Sequence, residues 1–209
     1  MVSMKKIDLK KNLKEILSPS FLEAEIVKVP KFYYLMIDGS GDPNSSKEFQ
    51  DAVQALYTAA YTLKFMIKKE KQVDYPVMAL EGLWWVDDMK SFLTSSKDEW
   101  NWTVMILQPP IVTMALFRKG ISTALEKKGL NALTRIRLEA FEEGLSVQIM
   151  HKGPYAEEGP TIQKLHAFAA DRHLALRGKH HEIYLGDPRK SKPEKMKTII
   201  RQPVVRVKG

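Results

Sequence analysis

Apolar residues recur at steps of three and four along Phe49, Val53, Leu56, Ala60, Leu63 and Ile67. That period places them on one face of an α-helix. Ser45-Ser46-Lys47-Glu48 stands ahead of them with the spacing of a capping box. A helix is therefore predicted from about Ser46 to Lys69, with Tyr57 and Tyr61 extending its buried face over a sheet. A second helix follows Thr113 as its cap and runs to about Lys128, closed by Gly129. A third begins at Pro160 and continues to about Leu174, with Ile162, Leu165, Phe168 and Ala169 inward. Between the helices the pattern becomes β-favouring. LEAEIVKV and FYYLMIDG flank a bend or bulge at Pro30-Lys31, and RIRLEAF and LSVQIMHKG flank a turn at Glu142-Glu143-Gly144. YPVMALEGLWWV, WNWTVMILQP, KHHEIYL and MKTIIRQPVVRV supply four more strands. Residues 4 to 17 alternate lysines with Ile7, Leu9, Leu13 and Ile16, as a short amphipathic helix or an arm would.

The order of elements repeats. LEA at 22–24 answers LEA at 138–140, MIDG at 36–39 answers MHKG at 150–153, and LQPP at 107–110 answers RQPV at 201–204. Glu81 falls where Glu182 falls. Each half reads strand, strand, helix, strand, strand. Two such halves, about 21–112 and 133–207, predict an α+β domain over residues 21–209 with an arm at 1–20. Its antiparallel sheet carries helices on one side. A ligand cleft is expected between the halves, on the helix-free side.

Composition narrows the function classes. A chain of 209 residues, 44% of them hydrophobic, has enough apolar surface for a core. The absence of cysteine excludes disulfides, thiolate catalysis and zinc–thiolate sites. No apolar run reaches the ~18 residues of a membrane helix. The N-terminus lacks the continuous apolar stretch of a signal peptide, so no membrane contact and a cytoplasmic location are expected. The net charge of +8 gathers late in the chain. Arg189, Lys190, Lys192, Lys195, Lys197, Arg201, Arg206 and Lys208 face only Asp187 and Glu194. That segment suits a phosphate-rich partner, but no nucleic-acid motif accompanies it. It reads as a solvated basic face, and no specific nucleic acid is expected as a partner.

The chemistry-bearing stretch is HHEIYLGDPRK, residues 180–190. In a strand Glu182 and Tyr184 share one face, and Ile183 and Leu185 share the other, with Gly186-Asp187-Pro188 ending it. An edge strand whose polar face meets water would show the same pattern. By alternation Glu81, Leu83 and Trp85 lie together and Trp84 points away. A slip of one residue reverses this, so both tryptophans stay candidates. Four tryptophans between residues 84 and 102, Trp102 among them, form either core or an aromatic cage for a flat ligand. A carboxylate in such a cage has a raised pKa and works as an acid or base near neutrality. His180 and His181 point opposite ways, and His151, His166 and His173 lack helical pairing, so structural or surface roles are expected and no metal site. No nucleophile elbow or phosphate loop is present, and no cofactor is expected.

HHEIYLGDPRK, PEKMKTIIRQPV at 193–204 and EEGLSVQIMHKGPYAEEGPTI at 142–162 resemble the GyrI-like small-molecule-binding proteins. EGLWW and WNWTVMILQP resemble the subfamily that hydrolyses cyclopropane-bearing, DNA-alkylating natural products. The resemblance spans nearly the whole chain after residue 20. It implies duplicated βαββ (SHS2-like) units, a planar aromatic small molecule as partner, and water addition that opens an activated cyclopropane. Glu182 would activate or orient the water. Tyr184 would position Glu182 or polarise a conjugated carbonyl. Glu81, Trp84, Trp85, Trp102, Tyr155 and Phe168 complete the candidate substrate contacts. The rival expectation is a non-catalytic binder of aromatic or cationic drugs, with Glu182 as counter-charge.

Overall fold

A computed structural model describes residues 4–186 and 191–207. The expected turn at Asp187-Pro188 and the cations Arg189, Lys190 and Lys208 lie outside the described residues. The chain forms β1 (Lys5–Lys6), α1 (Leu9–Asn12), α2 (Lys14–Leu17), β2 (Glu25–Ser40), α3 (Lys47–Lys71), β3 (Val73–Asp74) and β4 (Leu80–Trp85). It continues with β5 (Asn101–Gln108), α4 (Met114–Lys128), β6 (Arg137–Lys152), α5 (Gly159–Ala170), β7 (Leu174–Leu176), β8 (His180–Tyr184) and β9 (Lys197–Arg206). The fold is mixed α+β with antiparallel strands as its frame.

The segments flanking the expected bend or bulge at Pro30-Lys31, and those flanking the expected turn at Glu142-Glu143-Gly144, are each one continuous strand. β2 and β6 are each 16 residues long and run through those positions. The ladder between β2 and β5 begins only at Tyr33, so Pro30, which has no N–H to donate, costs that ladder nothing. α3 starts as expected, with the Ser46 hydroxyl accepting from the Phe49 N–H at 3.2 Å. It buries Ala52, Ala55, Leu56, Ala59, Ala60, Leu63 and Ile67. The small alanines define the packed side, so Tyr57 and Tyr61 do not cover a sheet. They stack with each other and with Phe65 as a row in which Tyr61 and Phe65 are exposed. α5 ends at Ala170, short of Leu174, because His173 takes a positive φ of 54° and Leu174 opens β7. No described helix is long and apolar enough to cross a membrane.

Two compact units interleave along the chain. The first takes residues up to Asn12, Phe32–Met78 and Ser96–Phe141; the second takes Leu13–Lys31, Ala79–Ser95 and the chain from Glu142 onward. In the first, β2 and β5 pair antiparallel from Tyr33 opposite Gln108 to Ser40 opposite Asn101. Trp102 is fully buried there, edge-on to Phe49 at 5.2 Å between centroids. Its ring lies over Gly39, its register partner.

In the second unit β4 pairs with β8, β8 with β9 and β9 with β6, all antiparallel, while β7 pairs with the end of β9. Gly82, Glu182, Ile200 and Ile149 form one row across the four strands, and Leu83, His181, Arg201 and Gln148 form the next. Neighbouring rows face opposite ways. α5 sets Ile162, Leu165 and Ala169 against Val147, Ile149, Ile200 and Val204, so it covers the face that carries Glu182. Met150, Ile183 and Ile199 pack on the other face with Leu17 and Ala79.

The Trp102 packing is testable. A Cβ added to Gly39 would lie 2.2 Å from a carbon of the rigid indole. Gly39→Ala should lower stability by about 1–3 kcal/mol, as overpacking does, with an unchanged m value in urea unfolding.

Candidate functional site

The site is assembled on β8 in the second unit. Alternation sends His180, Glu182 and Tyr184 to one face of this strand. Gly82 stands opposite Glu182 on β4, and its missing side chain leaves room for the Trp84 ring: a Cβ there would lie 2.6 Å from the indole nitrogen. Trp84 Nε1–H thereby reaches the Tyr184 oxygen at 3.1 Å. The Tyr184 hydroxyl donates to Glu182 Oε2 at 2.6 Å, and His180 Nε2 meets Glu182 Oε1 at 3.1 Å. Phe92 packs against the His180 ring at 5.3 Å, and Tyr155 sets its edge on Tyr184 at 5.3 Å. Glu158 is buried just ahead of α5. Glu182 is 8% exposed and Tyr184 is half-buried, so the cluster meets solvent along the Tyr155–Tyr184 edge.

Burial alone pushes the Glu182 carboxyl upward. The hydrogen bond and field of His180, with the bond from Tyr184, outweigh it and hold Glu182 below the usual carboxylate range. The raised value expected for a carboxylate among aromatics is therefore not what the site produces, because His180 and Tyr184 replace the lost water. Tyr184 is pushed the other way, by burial and by the neighbouring charge of Glu182, and stays a phenol. His166, on α5, is lowered by burial and by His180.

The opposite face of the same strand carries a buried charge network. His181 Nδ1 meets Glu143 Oε1 at 3.0 Å and its Nε2 meets Glu81 Oε2 at 3.1 Å. Arg201 bonds Glu143 at 3.1 Å and the Gln148 carbonyl at 2.9 Å, and Gln148 donates to Glu25 at 2.8 Å. Burial would lower His181, but Glu143 and Glu81 raise it to about 9. Burial would raise Glu143, but His181 and Arg201 lower it to about 2. One imidazolium between two carboxylates, with a guanidinium beyond, satisfies every partner at the centre of a sheet. Arg201, expected in a solvated basic face, is 1% exposed and belongs to this network.

The structure thus brings Glu182, Tyr184, Trp84 and Tyr155 together. Glu81 is not with them: the equivalence with Glu182 conceals a change of face, and Glu81 sits behind the sheet under His181. Trp85 points away from Trp84 and carries the Lys179 ammonium 3.2 Å over its ring. Trp102 belongs to the core of the first unit. Phe168 packs against the α5 cluster, with the Arg172 guanidinium 3.6 Å over its outer side. Two residues escaped the sequence reading. His180 was legible, since His-x-Glu-x-Tyr puts three polar groups on one strand face. Glu158 carries no local signal, because a fold contact across the second unit buries it. No group of three metal-ligating side chains comes together among the described residues. A surface depression of about 480 Å³ in the first unit holds none of these residues. Its lining charges pair with one another, Lys47 with Asp51 and Arg135 with Glu48.

An α+β unit with an ionised carboxylate, a phenol and aromatic rings on one sheet face has the class of a small-molecule-binding domain. The chain belongs to the GyrI-like family: the GyrI-like small molecule binding domain matches residues 22–205. It is similar to an uncharacterized conserved protein from Listeria innocua, at 42% identity and a TM-score of 0.86, over 95% of this chain and 100% of that one. A hydrolase from Listeria innocua is similar at 40% identity and a TM-score of 0.83, over 95% and 100% of the two chains. The EcmrR C-terminal domain, at 12% identity and a TM-score of 0.55 over 88% and 98%, shares the fold. No curated protein matches the chain.

The back-face network sets a pH dependence. His181 is raised, so its contribution is complete below the ordinary histidine value of about 6.5 and is lost as pH climbs through about 9. Glu143 is lowered, so its contribution is complete above the ordinary carboxylate value of about 4.3 and is lost as pH falls toward about 2. Unfolding free energy should therefore decline on both sides of that window. His181→Gln leaves two buried carboxylates short of a cation and should cost about 3–5 kcal/mol. It should also flatten the alkaline decline in denaturant titrations.

Proposed function

We propose that the protein binds a planar aromatic small molecule and opens an activated cyclopropane in it by adding water. The reading rests most heavily on the 2.6 Å bond from Tyr184 to Glu182, a buried carboxylate held below its usual range by His180 and by that bond. Such a group retains the lone pairs to orient a water and accept its proton. Tyr184 fixes the carboxylate, and Trp84 fixes Tyr184. The rings of Tyr155 and Tyr184 line the edge where a flat ligand would stack. Membership of the GyrI-like family supports the small molecule, and the similar Listeria innocua hydrolase supports turnover. The repeated order of a 16-residue strand, a helix and three further strands, one of them only two or three residues long, supports descent from duplicated βαββ (SHS2-like) units. A small aromatic ligand met by a cytoplasmic protein is the partner we infer.

The second reading is a drug-sequestering module, favoured by the negative charge of Glu182 among aromatic rings, which attracts an aromatic cation. Turnover separates the two. With a duocarmycin-like compound, Glu182→Gln should lose about 10²–10⁴-fold in kcat with little change in ligand affinity. A binder would show no turnover in the wild type, and the same substitution would weaken cationic ligands alone. Wild-type hydrolysis by Glu182→Gln would remove Glu182 from the chemistry.

A further inference from the structure

The row next to Glu182 on the same face of the sheet is polar as well. There the ladder sets Tyr184 of β8 opposite Thr198 of β9, and Thr198 opposite His151 of β6. Side chains two apart in a strand share a face, so this row points the same way as Glu182. Leu185 donates its N–H to the Lys197 carbonyl at 3.0 Å. Tyr184 and Thr198 are therefore a non-hydrogen-bonded pair, the closer kind, with Cα atoms about 4.5 Å apart. Thr198 is fully buried and His151 nearly so. His151 Nδ1 meets the Thr161 hydroxyl of α5 at 2.9 Å. Its Nε2 and the Thr198 hydroxyl have no hydrogen-bond partner among the described residues. Gly153 keeps a side chain off that nitrogen: a Cβ there would lie 3.2 Å from it. The fold does not demand polar groups here. Aligning MIDG with MHKG and LQPP with RQPV sets Ile37 at the place of His151 and Val104 at the place of Thr198. Ile37 and Val104 are also register partners, and both are fully buried core. Two buried polar atoms where apolar ones suffice carry a cost that a bound group would offset.

We propose that Thr198, with His151 beside it, is the subsite for the conjugated carbonyl oxygen of the planar ligand. Its role in catalysis rests on the hydrolytic reading above; the subsite itself does not. Ring opening drives negative charge onto that oxygen, and a donor aimed at it stabilises the charge as it develops. Tyr184 is committed elsewhere: its proton goes to Glu182 at 2.6 Å and its oxygen receives Trp84 at 3.1 Å. The Thr198 hydroxyl, on the neighbouring strand, has its proton to give. His151 Nε2 adds a second donor in the tautomer where Thr161 donates to Nδ1. Thr198 lies diagonal to Glu182 across β8 and β9, about 7–8 Å away by ladder geometry. The two groups therefore meet different ends of one ring system, water at Glu182 and the carbonyl at Thr198. Tyr155, 37% exposed and edge-on to Tyr184, is the side chain that yields as the ligand enters.

Thr198→Val removes the hydroxyl and keeps the shape, and Thr198→Ser keeps the hydroxyl. With a duocarmycin-like compound, kcat of the valine variant should fall about 10²–10³-fold, as loss of an oxyanion donor does, and the serine variant should recover most of it. The thermal midpoint of the unliganded valine variant should match or exceed that of the wild type, since no partner in the fold loses a bond. A lower midpoint would assign the hydroxyl to the fold, through an internal water only, and overturn the proposal. Unchanged kcat in Thr198→Val, or a serine variant as slow as the valine one, overturns it as well. If the wild type itself turns nothing over, the hydrolytic reading and the catalytic role fail together, and fluorescence titration decides the subsite. Thr198→Val should then bind the same compound about 3–10-fold more weakly, and N-methylacridinium, planar and without oxygen, as tightly as the wild type does. Any other pattern of affinities sinks the subsite too.

Discussion

Everything in the second unit bears on one constraint: a negative charge at Glu182 held almost out of water. An unpaired buried carboxylate costs several kcal/mol and would ordinarily take up a proton. Here it does not, because Tyr184 and His180 on the same strand supply the hydrogen bonds that water would give. Each supporting residue needs its own support. Gly82 has no side chain so that the Trp84 ring can lie back and steady Tyr184. α5 is bound to the sheet by Ile162, Leu165 and Ala169, which cover the face that carries Glu182.

The charge network on the other face is the mechanical complement. Strand β8 is pinned from behind by His181, whose two nitrogens each meet a carboxylate, and Arg201 ties the next strand to the same Glu143. A one-residue slip of β8 would bring His181 to the face of Glu182 and remove both partners at once. The network thus fixes the register that aims Glu182 and Tyr184 together. Buried ion pairs add less to stability than their geometry suggests, and register is their better attested use.

Much of this was legible in the sequence, for identifiable reasons. α3 and α4 announce themselves by period and caps, at Ser46, Thr113 and Gly129. Glu182 and Tyr184 share a face because strand alternation is local. What failed was nonlocal. The likeness of Glu81 to Glu182 is one of order along the chain, and a shift of one position in the pairing of β4 with β8 decides the face. Trp102 and Trp84 are alike in sequence, but one fills a core over Gly39 and the other holds a phenol. Arg201 looked like one more cation in a basic segment until β6 brought Glu143 and Gln148 beside it. Glu158 depends on where α5 docks, which no pattern around Glu-Gly-Pro encodes.

The central claim is that this buried carboxylate handles water rather than attacking the substrate itself or holding a counter-ion. Its most direct test is turnover of an activated cyclopropane in water enriched in heavy oxygen. The claim requires a ring-opened alcohol carrying one heavy oxygen on the freed carbon from the first turnover, and no mass added to the protein. An unlabelled first-turnover product, a protein left esterified at Glu182, or a ligand recovered unchanged would each contradict it.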